Sequence, residues 1–491
     1  MQKILVANRG EIALRIMHTL REMGIRTVAV FSEPDRTAPH VLFADEAVCI
    51  GGGPSAESYL DGEKIIELAI GLKVEGIHPG YGFLSEHAGF AQAVTDAGMV
   101  FIGPGAAAMR IMGSKLAAKE CVAKYGIPMI PGIEKAIDDI PGAKKIAAAI
   151  GYPILIKASA GGGGKGMRVV NAEAEFEEQL QRATSEATAA FGDGAVFIEK
   201  YVASPRHIEV QVLADQHGNV VHLFERECSI QRRHQKVVEE SPSTFLTPAL
   251  RQQMGEAAVM VAKSCNYVST GTVEFLMDGE MNFYFLEMNT RLQVEHPVTE
   301  MITGIDLVAA QVRIARGEPL GFTQQDISIN GHAIELRVYA EDPLNDFLPS
   351  IGTLSTYQKP TGPGIRIDDG YQKGMTIPIY YDPLIAKLVA HGKDRATAIQ
   401  RMKTAIDNFI VEGPSTTLPF GKFVMNHPAF IAGDITTHFV KDHFSAAKFK
   451  EQQSADARLA ALIALKQWKA GLQKIRGASS TPTNWKHRQK N

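Results

Sequence analysis

Four cysteines in 491 residues are too few for a disulfide frame. Cys49, Cys121, Cys228 and Cys265 lie far apart and form no CxxC pair, so zinc-site spacing is also missing and reduced, mostly buried thiols are expected. No sign of charge dominates: 51 Lys and Arg against 54 Asp and Glu leave a formal net charge of -3. That balance gives no bulk attraction to nucleic acid or to an anionic membrane. No apolar run approaches the roughly 20 residues that a membrane-crossing helix needs. The opening MQKILVANRGEIAL is broken by Arg9 and Glu11 too early for a secretory leader. Internal repeats and low-complexity arrays are missing as well. With 45% hydrophobic residues, a cytoplasmic enzyme built from about two to four structural units is the expectation.

The pattern along the chain falls into four regions. KILVA, the turn NRGE, then Ile12, Ile16, Leu20 and Met23 at helical spacing, and TVAVF make a β-α-β unit. Residues 1–112 therefore read as a small parallel α/β, Rossmann-like domain. In 113–330, SKLAAKECVAKYGIP is an amphipathic helix. The stretch from about 130 to 203 surrounds a glycine loop with two apolar strands, and HIEVQVLAD, VVHLFERECS, TGTVEFLMD and NFYFLEMN alternate as strands. Residues 331–445, opening HAIELRVYAED and rich in Gly and Pro turns, predict an α+β domain. A tail, 446–491, carries the helix-forming DARLAALIALKQWKAGLQKI (456–475) and ends in basic, polar RGASSTPTNWKHRQKN, expected to be disordered.

Two stretches carry chemistry. YPILIKASAGGGGKGMRVV (152–170) has the anatomy of a phosphate cradle, with bare backbone N–H groups and the flanking cations Lys157 and Lys165. Gly161, Gly163 and Gly166 match G-x-G-x-x-G, but GMRVV continues as a strand where a dinucleotide site requires a helix. Walker A fails too, because Lys165 precedes Gly166. The loop reads as a mobile lid over ATP phosphates. Downstream, TVEFLMDGEMNFYFLEMN predicts a hairpin turning at Gly279-Glu280. Glu274 is then opposite Phe285 and diagonal to Glu287, with Asn289 on the same face. These are hard oxygen donors suited to Mg²⁺ (or Mn²⁺). Phe283 and Phe285 are expected on that face, which would keep it from being ordinary solvated surface.

With these residues assembled, the chain resembles an ATP-grasp enzyme. More narrowly, NRGEIALRI, HPGYGFLSE, KASAGGGGKGMRVV, RHIEVQVLAD, QRRHQKVVEE and EMNTRLQVEHPVTEMITG look like the biotin carboxylase component of biotin-dependent carboxylases, over about residues 1–445. The resemblance implies a pre-ATP-grasp domain, an ATP-grasp domain with a glycine-lid subdomain, and a C-terminal biotin carboxylase domain. It implies that Lys115 and Lys157 bind ATP phosphates, with Gly163 and Gly164 in the lid. Glu199, Lys200, Tyr201 and Val202 would form the adenine-contacting hinge. His207, Glu209, Gln231 and His234 would line the nucleotide, and Glu274, Glu287 and Asn289 would bind magnesium. Lys236, Arg291, Gln293, Val294 and Glu295 would form the bicarbonate pocket, with Glu295 as base. Arg337 would face biotin, although a structural pair with its same-face neighbour Glu335 is the plain alternative.

The activity implied is an ADP-forming ligase reaction that carboxylates biotin through carboxyphosphate. It would be the first half-reaction of an acyl-CoA carboxylase (acetyl-CoA or a relative, hence fatty acid biosynthesis) or of a pyruvate carboxylase. No Met-Lys-Met occurs, so biotin is expected on a separate carrier protein, with a separate carboxyltransferase and a homodimer of this chain. Neither nucleic acid nor membrane is an expected partner. The rivals are another ATP-grasp carbon-nitrogen ligase, an inactive nucleotide-binding regulator and a dinucleotide oxidoreductase.

Overall fold

The computed structural model describes residues 1–132, 137, 139–159 and 167–478. The lid positions Gly163 and Gly164 and residues 479–491 of the tail lie outside the described residues.

Short apolar runs bounded by turns make the first layer: β1 (Lys3–Val6), β2 (Arg26–Ser32), β3 (Glu46–Gly51), β4 (Gly76–His78) and β5 (Val100–Phe101). They form a parallel sheet in the order β3-β2-β1-β4-β5. The order reverses between β1 and β4, and open α/β sheets place functional loops at such a point. NRGE leaves β1 there, and HPGY leaves β4. Asn8 Nδ2 ties the two loops by donating to Pro79 O at 2.7 Å and Tyr81 O at 2.8 Å. Gly10, at φ +66°, turns the chain into the helix Gly10–Glu22.

A second, small sheet comprises β6 (Ile154–Ala158), β7 (Arg168–Val170) and β8 (Val196–Lys200), in the order β7-β6-β8. The expected hairpin around the glycine loop is present, with Ile154 opposite Val170. Ile154, Ile156, Val170 and Ile198 pack with the helices Ile140–Ile150 and Phe176–Phe191. Alternation therefore turns Lys157 and Glu199 to the opposite face.

The third sheet is antiparallel and eight-stranded. It comprises β9 (Arg206–Ala214), β10 (Val220–Arg232), β11 (Gln235–Ser241), β12 (Ser269–Met277), β13 (Phe283–Asn289), β14 (His332–Tyr339), β15 (Ile365–Asp369) and β16 (Leu384–Gly392). Its order is β13-β12-β9-β10-β11-β14-β16-β15. The β11–β14 pairing, with Glu239 opposite Glu335, carries one continuous sheet across position 330, so residues from both sides of that position can meet on a single face.

The β12–β13 hairpin corrects two expectations. Its loop is Asp278–Asn282, with Met277 opposite Phe283, because Asp278 Oδ1 accepts from the backbone N–H of Glu280 and of Asn282, both at 2.9 Å. A bulge beside Glu274 then places Glu287, not Phe285, directly opposite it. The same bulge moves Phe285 to the other face. Phe275 and Phe285 are partners and lie in the apolar core, with Phe283 against it. The aromatic rings thus back the sheet and do not share the acidic face.

The tail helix runs Ala446–Ala478, longer at both ends than expected, and includes residues 476–478 of the stretch expected to be disordered. Phe449 anchors it against Phe423 and Phe444, while Leu459, Leu462, Ile463, Leu465 and Trp468 are exposed. Among the described residues, no helix is long and apolar enough to cross a membrane.

Candidate functional site

Three neighbouring strands deliver charge to one spot. Glu274 on β12 is in register with Glu209 on β9, which is in register with Arg226 on β10. Lys236, near the start of β11, sends Nζ among them: 2.5 Å from Glu209 Oε2, 2.8 Å from Glu274 Oε1 and 2.8 Å from Glu295 Oε1. Arg226, fully buried, donates to Glu209 Oε1 at 2.5 Å, Gln293 Oε1 at 2.5 Å and Gln211 Oε1 at 2.8 Å. Burial opposes ionisation, yet the Lys236 charge holds Glu274 well below the usual carboxylate range. Arg226 and Lys236 do the same for Glu209. Lys236 is in turn pushed well up by its three carboxylates, against the effect of burial. His207 Nε2 lies 3.1 Å from Glu274 Oε2, and although burial opposes it, that carboxylate lifts His207 to about 9.

Glu295 joins this cluster to the next. One oxygen takes Lys236 and the other accepts from Arg337 Nη2 at 3.0 Å. Arg337 Nε donates to Glu239 Oε1 at 2.6 Å, so its partners are Glu239 and Glu295. The alternative pairing with Glu335 is not formed, and among the described residues both buried Glu335 carboxyl oxygens lack a hydrogen bond. Gln293 Nε2 donates to Glu274 Oε1 at 2.9 Å, which brings the Gln293–Glu295 loop over the acidic face. Arg291 donates from Nε to Glu86 Oε2 at 2.8 Å and from Nη2 to Asn289 Oδ1 at 2.9 Å.

At the small sheet, Lys157 Nζ is 2.5 Å from Glu199 Oε2, and Lys119 pairs with the other Glu199 oxygen. Both oxygens of the residue expected to read a base are thus engaged by lysines. Lys115 lies one helical turn before Lys119, at the start of the helix Lys115–Ala123. Burial pulls its pKa down, and the nearby Glu287 works against that. Lys200 Nζ donates to Gly151 O at 2.7 Å, and Tyr201 and Val202 are half-buried at the strand end. Gln231 Nε2 donates to Cys228 O at 2.8 Å. His234 is exposed in the β10–β11 turn, where it and Arg233 have positive φ. Of the nucleotide-shell residues, His207 and Glu209 therefore join the charged cluster, and His234 stands apart from it. Cys228 is buried, and its thiol is pushed well up by burial.

The donor set fits a divalent cation. Glu287 faces Glu274 across the hairpin and makes no hydrogen bond among the described residues. Burial and the Glu274 charge raise its pKa. A hard cation between the two carboxylates would remove that repulsion. Asn289 here donates from Nδ2 to Glu274 Oε1 at 2.9 Å while Arg291 takes its amide oxygen, so that oxygen would have to turn from Arg291 to join the cation. A different grouping of donor atoms is His207, Glu209 and Glu274, all within 4.8 Å of one another. It is already bridged by Lys236 and is an ion-pair cluster.

Against this geometry, three family profiles match in chain order. They are the N-terminal domain of biotin carboxylase over residues 1–109, the ATP-binding domain of the carbamoyl-phosphate synthase L chain over 114–323, and the biotin carboxylase C-terminal domain over 335–442. A biotin carboxylase from Nostoc sp. is 53% identical over 440 residues, covering 90% of this chain and 98% of that one. The chain belongs to the biotin carboxylase family. A pyruvate carboxylase subunit from Methanothermobacter thermautotrophicus is 51% identical, with 90% of each chain covered. The mouse mitochondrial propionyl-CoA carboxylase alpha chain is 52% identical over 442 residues, and this chain spans only 61% of its length. Among solved biotin carboxylase structures, the domain dimer of Hydrogenobacter thermophilus 2-oxoglutarate carboxylase with MgADP, ADP and bicarbonate superposes with a TM-score of 0.87. It is 48% identical and covers 90% of this chain and 97% of that one. The Campylobacter jejuni enzyme, in a β,γ-ATP complex, also gives 0.87, at 45% identity and with 90% and 99% covered.

Several residues of this biotin carboxylase site carry no mark in the sequence. Arg226 and Glu239 look like ordinary members of alternating strands, and no local signal distinguishes them. Lys119 could have been found from its spacing after Lys115. Glu11 and Glu86 belong to NRGE and HPGYGFLSE, motifs whose pattern alone gives these two carboxylates no role.

Proposed function

We propose that this chain catalyses the ATP- and bicarbonate-dependent carboxylation of biotin presented by a carrier that these residues do not contain. The observation that carries the reading is the double engagement of Glu295. One carboxylate spans the ammonium of Lys236 and the guanidinium of Arg337, so a base is held between an anion-binding centre and a second cation. Bicarbonate would lie by Lys236 and Arg291, whose planar fork suits a planar oxygen pair. Glu295 would take its proton as a bicarbonate oxygen attacks the terminal phosphorus of ATP, releasing ADP and leaving carboxyphosphate. Lys115, Lys157 and Lys236 would offset phosphate charge. Magnesium held by Glu274, Glu287 and Asn289 would supply further charge neutralisation on the nucleotide. Carboxyphosphate would give CO2 and phosphate inside a site closed to water. Arg337 would stabilise the ureido oxygen of biotin as the released phosphate takes the N–H proton and the nitrogen bonds to CO2, a contribution of about 3 kcal/mol for one oxyanion donor. Glu199 and the strand end Lys200–Val202 would receive the adenine, with His207, Gln231 and His234 nearby.

The decisive experiment is ADP release by the purified chain. It should require bicarbonate and rise with free biotin. Turnover that ignores both and requires ammonia or an amino acid would move the chain to another ATP-grasp ligation.

The partners follow from the same reading: a biotin carboxyl carrier, a carboxyltransferase and a second copy of this chain, working in the cytoplasm. The final acceptor would be an acyl-CoA, acetyl-CoA among them and then in fatty acid synthesis, or pyruvate. The exposed apolar side chains of the tail helix are proposed to dock a partner subunit. Removing residues 450–491 should abolish that assembly while leaving biotin-stimulated ADP release in place. A biotin signal on the purified chain in a streptavidin blot would contradict the separate carrier.

A further inference from the structure

Two motifs, NRGE and HPGYGFLSE, come from the N-terminal sheet and have no part in the chemistry above. Both end at the loop that carries Glu295. Glu86 Oε1 accepts from the backbone N–H of Thr290 at 3.1 Å, and Glu86 Oε2 takes Arg291 Nε. The second contact is less direct. Lys387, on β16, is completely buried. Its Nζ donates to the carbonyl of Val294 at 3.0 Å and lies 3.1 Å from Glu11 Oε2. The other Glu11 oxygen accepts the Tyr81 hydroxyl. Asp368 is 3.7 Å from the same ammonium, but Arg366 already clamps both its oxygens, one at 2.9 Å and the other at 2.7 Å. Of the two carboxylates within 4 Å of the Lys387 ammonium among the described residues, Glu11 is the nearer.

We propose that Lys387, aimed by Glu11, is a positioning residue that holds the Gln293–Glu295 loop from the two flanking domains and so sets the affinity for bicarbonate. The carbonyl of Val294 shares a rigid peptide plane with the backbone N–H of Glu295. Fixing that carbonyl fixes the point from which the Glu295 side chain reaches Lys236 and Arg337. A buried lysine used only for packing is a poor choice, because an apolar side chain of similar volume avoids its desolvation. The close approach of the domains agrees with this role. A Cβ at Gly370 would stand 2.5 Å from the Glu11 backbone nitrogen, so the C-terminal domain touches the NRGE turn at the residue that aims the lysine.

The inference rests on the function proposed above, and wild-type protein tests that first: without bicarbonate-dependent ADP release, the reading fails before any variant is made. Given that release, Lys387→Met should raise the KM for bicarbonate about 10-fold or more while the KM for ATP stays within about 2-fold, as expected when a shifted loop spoils one subsite. Glu11→Gln should move the bicarbonate KM in the same direction by less. The double variant should be no worse than Lys387→Met, because both act on one contact. If Lys387→Met does not fold, Glu11→Gln and Tyr81→Phe decide alone. An unchanged bicarbonate KM, or equal rises for bicarbonate and ATP, overturns the proposal. A lower melting temperature with both KM values unchanged also overturns it, since that is a packing effect only.

Discussion

The two faces of β9 and β12 are equally buried and chemically opposite. Every residue of β9 is buried. Ile208, Val210 and Val212 pack into the apolar core beside the helix Pro248–Ser264, whereas His207, Glu209 and Gln211 face the charged cluster. On β12, Val273, Phe275 and Met277 take the first side and Glu274 the second. On the core side any well-shaped apolar group would serve, because the hydrophobic gain depends on area. On the other side each charge is tolerable only through particular partners, and Lys236 touches three carboxylates that Arg226, His207 and Arg337 also engage. Identical burial therefore supports adaptable packing on one face and a set of mutually dependent ions on the other.

The sharpest way to break that comparison is Lys236→Met. It takes one cation from Glu209, Glu274 and Glu295 at once and leaves them only Arg226, His207 and Arg337, so the loss expected is about 3–5 kcal/mol of stability, together with at least about 10²-fold of ADP-release activity. Denaturant melts and ADP release measure both, and a variant as stable as its parent would refute the interdependence. Phe275→Ala, one residue from Glu274 on the opposite face, should lose a comparable or slightly smaller amount, about 3–4 kcal/mol. Its KM for ATP should stay within about 2-fold of the parent. Were both KM values to shift strongly, the faces would not be separable.

Glu287→Gln should reverse the usual sign. Removing a charge that repels Glu274 should leave metal-free protein no less stable, with a gain on the order of 1 kcal/mol or below. The magnesium needed for half-maximal activity should rise about 10-fold or more. A clear loss of stability without metal would show that Glu287 is compensated in some other way.

The smallest effect is a slope. Burial, against the pull of Arg337, raises Glu239 from 4.5 to about 7. The folded state then binds more protons than the unfolded state between those values. This group's contribution is complete below 4.5 and is lost as pH rises through about 7. Glu239→Gln should flatten that part of the stability profile. A difference curve with the opposite slope would mean that the Arg337 pair dominates burial.

Legibility followed distance along the chain. The β-α-β start, the helix Phe176–Phe191 and the alternating strands were readable because their periodicity is local. Glu274 and Glu287 were singled out by the hairpin pattern, and Lys236 and Glu295 by the family resemblance; the structure brings Glu274, Lys236 and Glu295 into contact. The hairpin register was misread because a bulge adds one residue that no composition signal marks. Arg226, Glu239 and Lys387 were missed because their importance comes from partners 17, 98 and 93 positions away. A charged residue inside an alternating strand looks the same whether it meets solvent or a buried ion.

The amino-acid order by itself determined the elements, the apolar stripe of each and the kinds of donor available, since backbone preference and side-chain period act over a few residues. Only the tertiary structure decided which carboxylate met which cation. Those pairings depend on strand order, on one bulge and on the contact of three domains at Lys387. Electrostatic energy in a desolvated interior changes steeply with ångström-scale position, and sequence spacing does not contain that position.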